Sequence, residues 1–301
     1  MIDYSPSNSP YRVSYDGEFS LGDSPREPPN DSAGEDQVKD ERRREYKERL
    51  EEVVGEIADL QERLYANDRF SVLLVFQAMD ATGKDSTIRA VTTGVNPAGF
   101  QVFAFKAPSK EELDHDFLWR TARRLPERGR IGIFNRSYYE ETLVVRVHPE
   151  YLNGQRLPPH ADLDALWAER FVSIREHEMH LARNGTVILK FWLNVSREEQ
   201  ARRFLRRINR PEKNWKFQSG DVAERAHWDA YMTAYQDVLN QTSRSWAPWY
   251  AIPADDKPFM RLTVAKIVRD QLRALHLPYP ELPEQERDKI DGFRVALEKQ
   301  I

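Results

Sequence analysis

The 301-residue sequence contains no cysteine, and it has no uninterrupted apolar run of the roughly 18 residues needed to cross a membrane. The absence of cysteine excludes disulfides, thiolate nucleophiles and zinc sites with cysteine ligands. Acidic residues outnumber basic ones, 49 to 45, which argues against a general nucleic-acid-binding protein. The first residues also lack the basic and apolar regions of a secretory signal. We therefore expect a cytoplasmic protein with no membrane or nucleic-acid partner, in which any basic site is local.

The first 37 residues differ in composition from the rest of the chain. They are rich in Ser, Pro, Asp and Gly ("LGDSPREPPNDSAGED"), a composition that does not support a packed core. We therefore predict a flexible N-terminal tail over residues 1–37 and one domain over residues 38–301. The alternative is that "PYRVSYDGEF" docks on the domain or on a neighbouring subunit.

A long amphipathic helix is predicted next, from about residue 37 to residue 67. Its apolar residues recur at spacings of three and four and form a single stripe. The stripe packs on the domain or pairs with another subunit, and we expect a homo-oligomer.

The middle of the chain alternates between short apolar runs and helical stretches. Four runs predict buried strands: "FSVLLVFQ", "FQVFAFK", "RIGIFN" and "TVILKFWLNV". Helices are predicted at about 84–93, 110–125, 161–183 and 197–209, and "APWYAIPAD" predicts a fifth strand before a closing helix. This alternation predicts an α/β fold with a parallel sheet and helices on both faces. Ligands of such sheets bind at the carboxyl ends of the strands.

The segment "VFQAMDATGKDST" joins the first strand to the first helix after it, and it resembles a phosphate-binding P-loop. Gly83 and Lys84 occupy their expected places, whereas Ala78 replaces the first glycine and Asp85 replaces the usual Ser or Thr. Backbone amides and the helix N-terminus form an anion nest in such loops, and a lysine adds a charge for a phosphoryl oxygen.

Asp80 is an acidic residue inside this predicted phosphate loop. A carboxylate repels phosphate, but it becomes a ligand when Mg²⁺ bridges the two groups. We predict that Asp80 binds Mg²⁺, or Mn²⁺ in its place; the alternative is that Asp80 caps the following turn.

Polar residues also follow the next two predicted strands. Asn135 ends "RIGIFN", where P-loop enzymes often have an Asp, and Arg136 follows it into the same crevice. Arg136 could hold a phosphate through two hydrogen bonds. Lys106 ends the second strand and is predicted to face the crevice, and Glu140 could reach a metal or a ribose. Glu140 could equally complement a helix dipole.

The segment from about residue 197 to residue 228, here called the lid segment, begins with the densest basic patch of the chain. Residues 196–217 contain eight bases and three acids. Ser196 and Glu199 predict a helix start there. We predict that the bases bind a phosphate-rich substrate, with a solvated charged face as the alternative. They are Arg203, Arg206, Arg207, Arg210, Lys213 and Lys216.

Taken together, these motifs resemble the polyphosphate kinase 2 family. The resemblance rests on "FQAMDATGKDSTIRAVTTGVNPAGFQV", "FKAPSKEELDHDFLWR", "FNRSYYEETLVVRVH", "NWKFQSGDVAERAHWDAY" and "APWYAIPADDK", which occur in the family's order. It implies a P-loop kinase-like sheet with a helical lid, and reversible, Mg²⁺-dependent phosphoryl transfer between inorganic polyphosphate and nucleotides. Asn135 at the second motif is similar to the third subgroup, whose members phosphorylate nucleoside monophosphates and diphosphates. The acceptors that the resemblance implies are AMP and ADP, with GMP and GDP as the alternative.

The resemblance also implies roles for individual residues. The catalytic group would comprise Asp80, Lys84, Asn135 and Arg136, with polyphosphate on the lid bases. The remaining phosphate- and nucleotide-binding residues would be Ala81, Thr82, Gly83, Asp85, Ser86, Lys106 and Glu140.

Two other functions fit parts of the same pattern. An ATP-dependent nucleoside or nucleotide kinase would use the same loop, but the arginine-dense segment suits a long polyanion better than a second nucleotide. A non-catalytic polyphosphate- or nucleotide-binding module would not need Asp80, Lys84, Arg136 and the lid bases together.

Overall fold

A computed structural model describes residues 6–29, 36–159, 162–216 and 219–301 of the chain. These residues build one parallel sheet in the order β2-β3-β1-β4-β5. The strands are β1 Ser71–Gln77, β2 Phe100–Ala104, β3 Ile131–Asn135, β4 Thr186–Asn194 and β5 Trp249–Pro253. The predicted α/β fold with a parallel sheet flanked by helices is confirmed.

The central strands are buried on both faces, which explains why their sequences are continuously apolar rather than alternating. Every residue of β1 and of β4 is buried. The edge strand β2 is partly exposed, with Val102 44% accessible.

The helices of the described residues cover both faces and the carboxyl edge of the sheet. They are α1 Asp36–Asn67, α2 Lys84–Thr92, α3 Lys110–Leu113, α4 Trp119–Ala122, α5 Val144–Val147, α6 Leu152–Gln155, α7 Leu163–Arg183, α8 Arg197–Ile208, α9 Ser219–Ala223, α10 Trp228–Thr242, α11 Lys257–Ala274 and α12 Glu284–Glu298. Short 3₁₀ turns lie at Pro97–Gly99, Tyr138–Thr142, Pro149–Tyr151, Pro211–Lys216 and Glu224–His227. None of these helices is both long enough and apolar enough to cross a membrane.

The apolar stripe of α1 packs inside the chain, against α11. Val53, Val54, Ile57 and Leu64 are all buried on this face. Of the two interpretations of the stripe, packing on the domain is therefore the one that the structure supports. The homo-oligomer stays a prediction. The apolar stripe of α1 gives it no support, because the stripe is already buried against α11.

The stretch predicted as one helix over residues 110–125 is two short helices, α3 and α4. The interruption has a local cause, because the Asp116 side chain accepts a hydrogen bond from the backbone N–H of Leu118, at 2.9 Å. Such an Asp turn offers the backbone an alternative to continuing the helix. The last helix, α12, was not predicted from the sequence.

Residues 6–29 dock on the free edge of β5. The N–H of Val13 donates to the Trp249 carbonyl at 2.9 Å, and the N–H of Ala251 donates to the Tyr11 carbonyl at 2.8 Å. Val13 is fully buried and Leu21 is 7% exposed. The flexible-tail prediction is therefore wrong for residues 6–29. Their backbone groups form hydrogen bonds with the exposed edge of β5, and the composition of the segment gave no sign of this partner. Residues 1–5 and 30–35 lie outside the described residues.

Candidate active site

The predicted phosphate loop turns sharply between β1 and α2. Ala81 and Gly83 both have left-handed backbone conformations, with φ of 62° and 115°. Glycine adopts the φ of Gly83 at little cost in free energy, whereas a residue with a side chain would be strained there. Within the described part of the chain, the amides of Asp80, Ala81 and Gly83 donate to no protein acceptor. With the N-terminus of α2 they form a nest suited to an anion.

Lys84 lies at the first position of α2 and folds back over the loop. Its Nζ donates to the Ala78 carbonyl at 2.6 Å and lies 3.4 Å from the Met79 carbonyl. The residue is only 8% exposed. Burial lowers the pKa of the Lys84 ammonium, and the carboxylate of Asp80 offsets part of this effect. The buried ammonium is thus held against the wall of the nest, near an acidic partner.

Asp80 and Arg136 join the loop after β1 to the loop after β3. Arg136 Nη2 donates to Asp80 Oδ1 at 2.8 Å, and Nη1 donates to Glu140 Oε2 at 3.1 Å. Burial alone would raise the pKa of Asp80, but the charges of Lys84 and Arg136 bring the pKa below its usual value. The carboxylate of Glu140, and then that of Asp80, raise the pKa of Arg136 despite burial. This cluster contains two cations that can face a phosphate and one ionised carboxylate that can face a metal.

The backbone at Arg136 is itself in an unusual conformation. Its φ is 64°, a left-handed value that costs an arginine free energy, and its N–H donates to the Phe76 carbonyl at 3.0 Å. Such outliers concentrate at functional sites. Next to it, the Asn135 amide donates to Asp85 Oδ1 at 2.6 Å. Two contacts therefore link the end of β3 to the phosphate loop and α2: Arg136 with Asp80, and Asn135 with Asp85.

A metal fits this site only in a particular mode. No group of three or more His, Asp or Glu residues able to hold a metal occurs in the described ranges. Mg²⁺ commonly binds through one or two carboxylates, with waters and substrate phosphates completing its coordination. The ionised Asp80 beside the anion nest fits that mode.

Arg203 occupies a different place from the other predicted lid bases. It is 3% exposed, and its guanidinium donates to the Thr82 carbonyl, to Ala254 O at 2.5 Å and to Asp255 O at 3.0 Å. Its Nε donates to Glu199 Oε1 at 2.9 Å. The side chain therefore supports the phosphate loop from behind and ties α8 to the end of β5.

The remaining lid bases lie nearer the solvent. Arg206 is 55% exposed and pairs with Glu199, whereas Arg207 is 25% exposed and lies 3.5 Å from Asp221. Arg210 and Lys213 are exposed. The side chain of Lys216 lies outside the described residues. The predicted helix start is confirmed, because the Ser196 hydroxyl accepts from the N–H of Glu199 at 3.0 Å.

The other predicted site residues divide by position. Ala81 and Thr82 are buried in the loop, and the Ser86 hydroxyl donates back to the Gly83 carbonyl at 2.9 Å. Lys106 is exposed after the end of β2, and its carbonyl accepts from Arg120 at 2.7 Å. The structure thus brings the loop, Asn135, Arg136 and Glu140 together.

Comparison with known proteins agrees with this geometry. The sequence model of the polyphosphate kinase 2 family matches residues 40–278. The chain belongs to the polyphosphate kinase 2 family. It is similar to an ADP-polyphosphate phosphotransferase of Rhodopseudomonas palustris, with 52% identity over 86% of this chain and 90% of that protein. It is also similar to an AMP/ADP-polyphosphate phosphotransferase of Meiothermus ruber, with 42% identity over 93% of this chain and 98% of the relative.

A solved member of the polyphosphate kinase 2 family has the same fold. The crystal structure of polyphosphate kinase 2 from Arthrobacter aurescens TC1 superimposes with a TM-score of 0.82 at 34% identity, covering 97% of this chain and 99% of that one. The P-loop kinase-like fold predicted from the motifs is therefore confirmed.

Two residues of this polyphosphate kinase 2 site were not predicted from the sequence. The Gln200 side chain donates to the Asp80 carbonyl at 2.9 Å and accepts from Arg225. Gln200 thus links α8 both to the phosphate loop and to the 3₁₀ turn Glu224–His227 near the end of the lid segment. Lys257, the first residue of α11, lies beside Gly83. The position of Lys257 at the start of the helix after the fifth strand could have revealed it, whereas a lone glutamine in a basic helix carries no such signal.

Proposed function

We propose that this protein transfers phosphoryl groups reversibly between inorganic polyphosphate and nucleotides, with Mg²⁺. One observation carries the proposal. Lys84 and Arg136 flank the ionised Asp80 at the amide nest of the phosphate loop, and the bases of α8 begin at the same edge of the sheet. Membership of the family and the activities named for its relatives support the same conclusion.

The chemistry needs little beyond positioning and charge neutralisation. In-line transfer of a phosphoryl group spreads negative charge over its oxygens. Lys84 and the loop amides would hold the transferred group, and Arg136 would approach it from the acceptor side through its planar guanidinium. Mg²⁺ held by Asp80 would neutralise further charge on the phosphate oxygens. No covalent enzyme intermediate is required, consistent with a chain that has no cysteine.

We infer that the acceptors include both nucleoside monophosphates and diphosphates. The two relatives differ on this point, since one is named for ADP and the other for AMP and ADP. Asn135 supports the broader range because an uncharged amide at this strand end does not repel an additional acceptor phosphate, whereas an aspartate would. Its amide is held toward Asp85, beside the loop.

The test uses purified protein with AMP or ADP, Mg²⁺ and long-chain polyphosphate, in the absence of ATP. Formation of ATP from ADP, and of ADP from AMP, supports the proposal. Transfer that occurs only from added ATP would indicate an ordinary nucleotide kinase. Binding of polyphosphate without any transfer would indicate a binding module. Chelation of Mg²⁺ with EDTA should stop transfer, and restored Mg²⁺ should recover it.

A further inference from the structure

A second group of cations lies beside the phosphate loop, on the side of α11. It is formed by Lys257 and Arg261 of α11, Arg89 of α2, and the nearby face of α8. A Cβ atom built on Gly83 would lie 3.7 Å from Lys257 Cε. Lys257 and Arg261 are four residues apart in one helix, so their side chains share a face. The group therefore begins at the loop and continues along α11.

Three helices hold this group together. The Thr87 hydroxyl of α2 lies 3.9 Å from Met260 Sδ of α11. Arg203 of α8 donates to the Ala254 and Asp255 carbonyls, which directly precede α11. The cations are thus brought together by rigid packing rather than by a mobile loop.

The positive charge of this group is not balanced by the protein. In the described chain, the side chains of Lys257, Arg261 and Arg89 form no hydrogen bond or ion pair. The Arg261 Nε atom is buried without an acceptor. The acidic side chain near Lys257 is Glu199, which already pairs with three arginines of α8, Arg202, Arg203 and Arg206.

The protonation of these residues reflects the same imbalance. Burial, followed by repulsion from Arg203, Arg206 and Arg261, lowers the pKa of Lys257 to about 8. Burial and the charges of Arg89 and Arg203 lower the pKa of Arg261. A buried donor without a partner destabilises the protein, because it has lost its hydrogen bonds to water. An anion bound here would satisfy these donors and relieve the repulsion.

We propose that Lys257, Arg261 and Arg89 bind the distal phosphates of a polyphosphate chain whose terminal phosphate lies in the loop. The proposal rests on the proposed function and identifies where the long substrate leaves the site. Successive cations along one helix face match a polymer with one charge per repeat. A nucleoside at this place would instead need an apolar or aromatic surface for its base.

The test compares donors of different length. The double variant Arg89→Gln/Arg261→Gln is assayed with long-chain polyphosphate and with tripolyphosphate, and ADP is the acceptor. We expect the KM for long-chain polyphosphate to rise about tenfold, which corresponds to about 1.4 kcal/mol. The kcat, the KM for ADP and the use of tripolyphosphate should stay near wild type. Lys266→Gln, on the same helix but away from the loop, is the matched control and should behave as wild type.

Direct binding separates this proposal from the proposed function. Binding of long-chain polyphosphate by wild type and variant is measured by filter retention, with no nucleotide present. Weaker binding by the variant supports the inference even if the wild type transfers nothing. Two outcomes with an active wild type would overturn the inference. In the first, the variant keeps the wild-type KM and affinity for long-chain polyphosphate. In the second, its use of long-chain polyphosphate and its use of tripolyphosphate fall by the same factor. If circular dichroism shows that the double variant does not fold, Arg89→Gln is measured in the same way, since Arg89 is exposed, and an unchanged KM would again contradict the proposal.

Discussion

Arg136 Nη2 lies 2.8 Å from Asp80 Oδ1, and this contact joins the ends of two neighbouring strands across the crevice. The second arm of the guanidinium holds Glu140, so Arg136 has an anchor that does not depend on Asp80. Asp80 can therefore turn toward a cation while Arg136 keeps its place. Under the proposed function, the pair would supply a metal ligand and a phosphate ligand within hydrogen-bond distance of each other.

The first prediction concerns the shape of the Arg136 side chain. Arg136→Lys retains the charge but loses the planar fork that reaches Asp80 and Glu140 together. We expect kcat to fall about 100-fold, as for the loss of one donor to a developing negative charge. Steady-state rates with polyphosphate and ADP measure the effect.

The matched control for that variant lies at the other end of the same strand. Arg130 directly precedes β3 and pairs with Glu127 on the surface. Arg130→Lys should leave kcat within about twofold of wild type, because surface pairs contribute little. Equal kcat values for the two variants would contradict the role given to Arg136.

The second prediction separates the metal-binding role proposed for Asp80 from the phosphate-binding role proposed for Lys84. Asp80→Asn and Lys84→Ala should each lower transfer by at least about 100-fold while the protein stays folded. High Mg²⁺ should recover part of the Asp80→Asn activity, because an amide oxygen still coordinates weakly. It should not recover Lys84→Ala. A Mg²⁺ titration of both variants, with the exposed Asp59→Asn as control, measures this difference. Near-normal turnover of Lys84→Ala would contradict the assignment of the loop.

The sequence predicted the sheet, and it predicted that several candidate site residues lie at one edge of it, because both predictions depend on local signals. Apolar runs mark the strands, and parallel strands bring Asp80, Asn135 and Arg136 to one edge without further information. What it did not predict depends on tertiary packing. In the sequence, Arg203 cannot be told apart from the other bases of its helix. Only the structure shows that it is buried and donates to the Thr82 carbonyl. Residues 6–29 likewise acquire their structure from the edge of β5 rather than from their own composition.

The third prediction contrasts the buried and exposed arginines of the lid segment. Arg203→Ala removes a guanidinium that satisfies several buried carbonyls, so the free energy of unfolding should fall by about 3 kcal/mol. Arg210 is exposed, and Arg210→Ala should change that free energy by less than about 0.5 kcal/mol. Urea denaturation followed by circular dichroism measures both. Similar losses in the two variants would show that Arg203 does not support the loop.

The fourth prediction concerns pH and depends on Lys257. Its pKa is about 8 in the free protein, and a bound polyanion would raise it by stabilising the ammonium. Binding then takes up a proton, so the part of the affinity that Lys257 contributes is complete below about pH 8 and is lost as the pH rises through the higher pKa of the complex. The charged groups that face Lys257 are Arg203, Arg206, Arg261 and Glu199, of which the arginines stay charged throughout this range.

The variant Lys257→Arg tests that dependence without removing the charge. Arginine stays protonated, so the affinity for polyphosphate should match wild type at about pH 7 and fall less at about pH 9. Titration of polyphosphate itself affects both proteins equally and cancels in the comparison. Filter binding at both pH values gives the two slopes. Identical slopes would show that Lys257 does not contact the bound chain.

The last prediction concerns a buried ion pair that holds two tyrosines of the 3₁₀ turn after β3 in place. Lys190 Nζ lies 2.7 Å from Glu178 Oε2, both side chains are fully buried, and the hydroxyls of Tyr138 and Tyr139 donate to Glu178. Glu178→Gln should lower the free energy of unfolding by about 3–5 kcal/mol, because the Lys190 ammonium then lacks its counter-charge. The double variant Glu178→Leu/Lys190→Met removes both charges and should recover much of this loss in urea denaturation. A double variant no more stable than Glu178→Gln would mean that packing around the tyrosines, not the buried charge, dominates at this position.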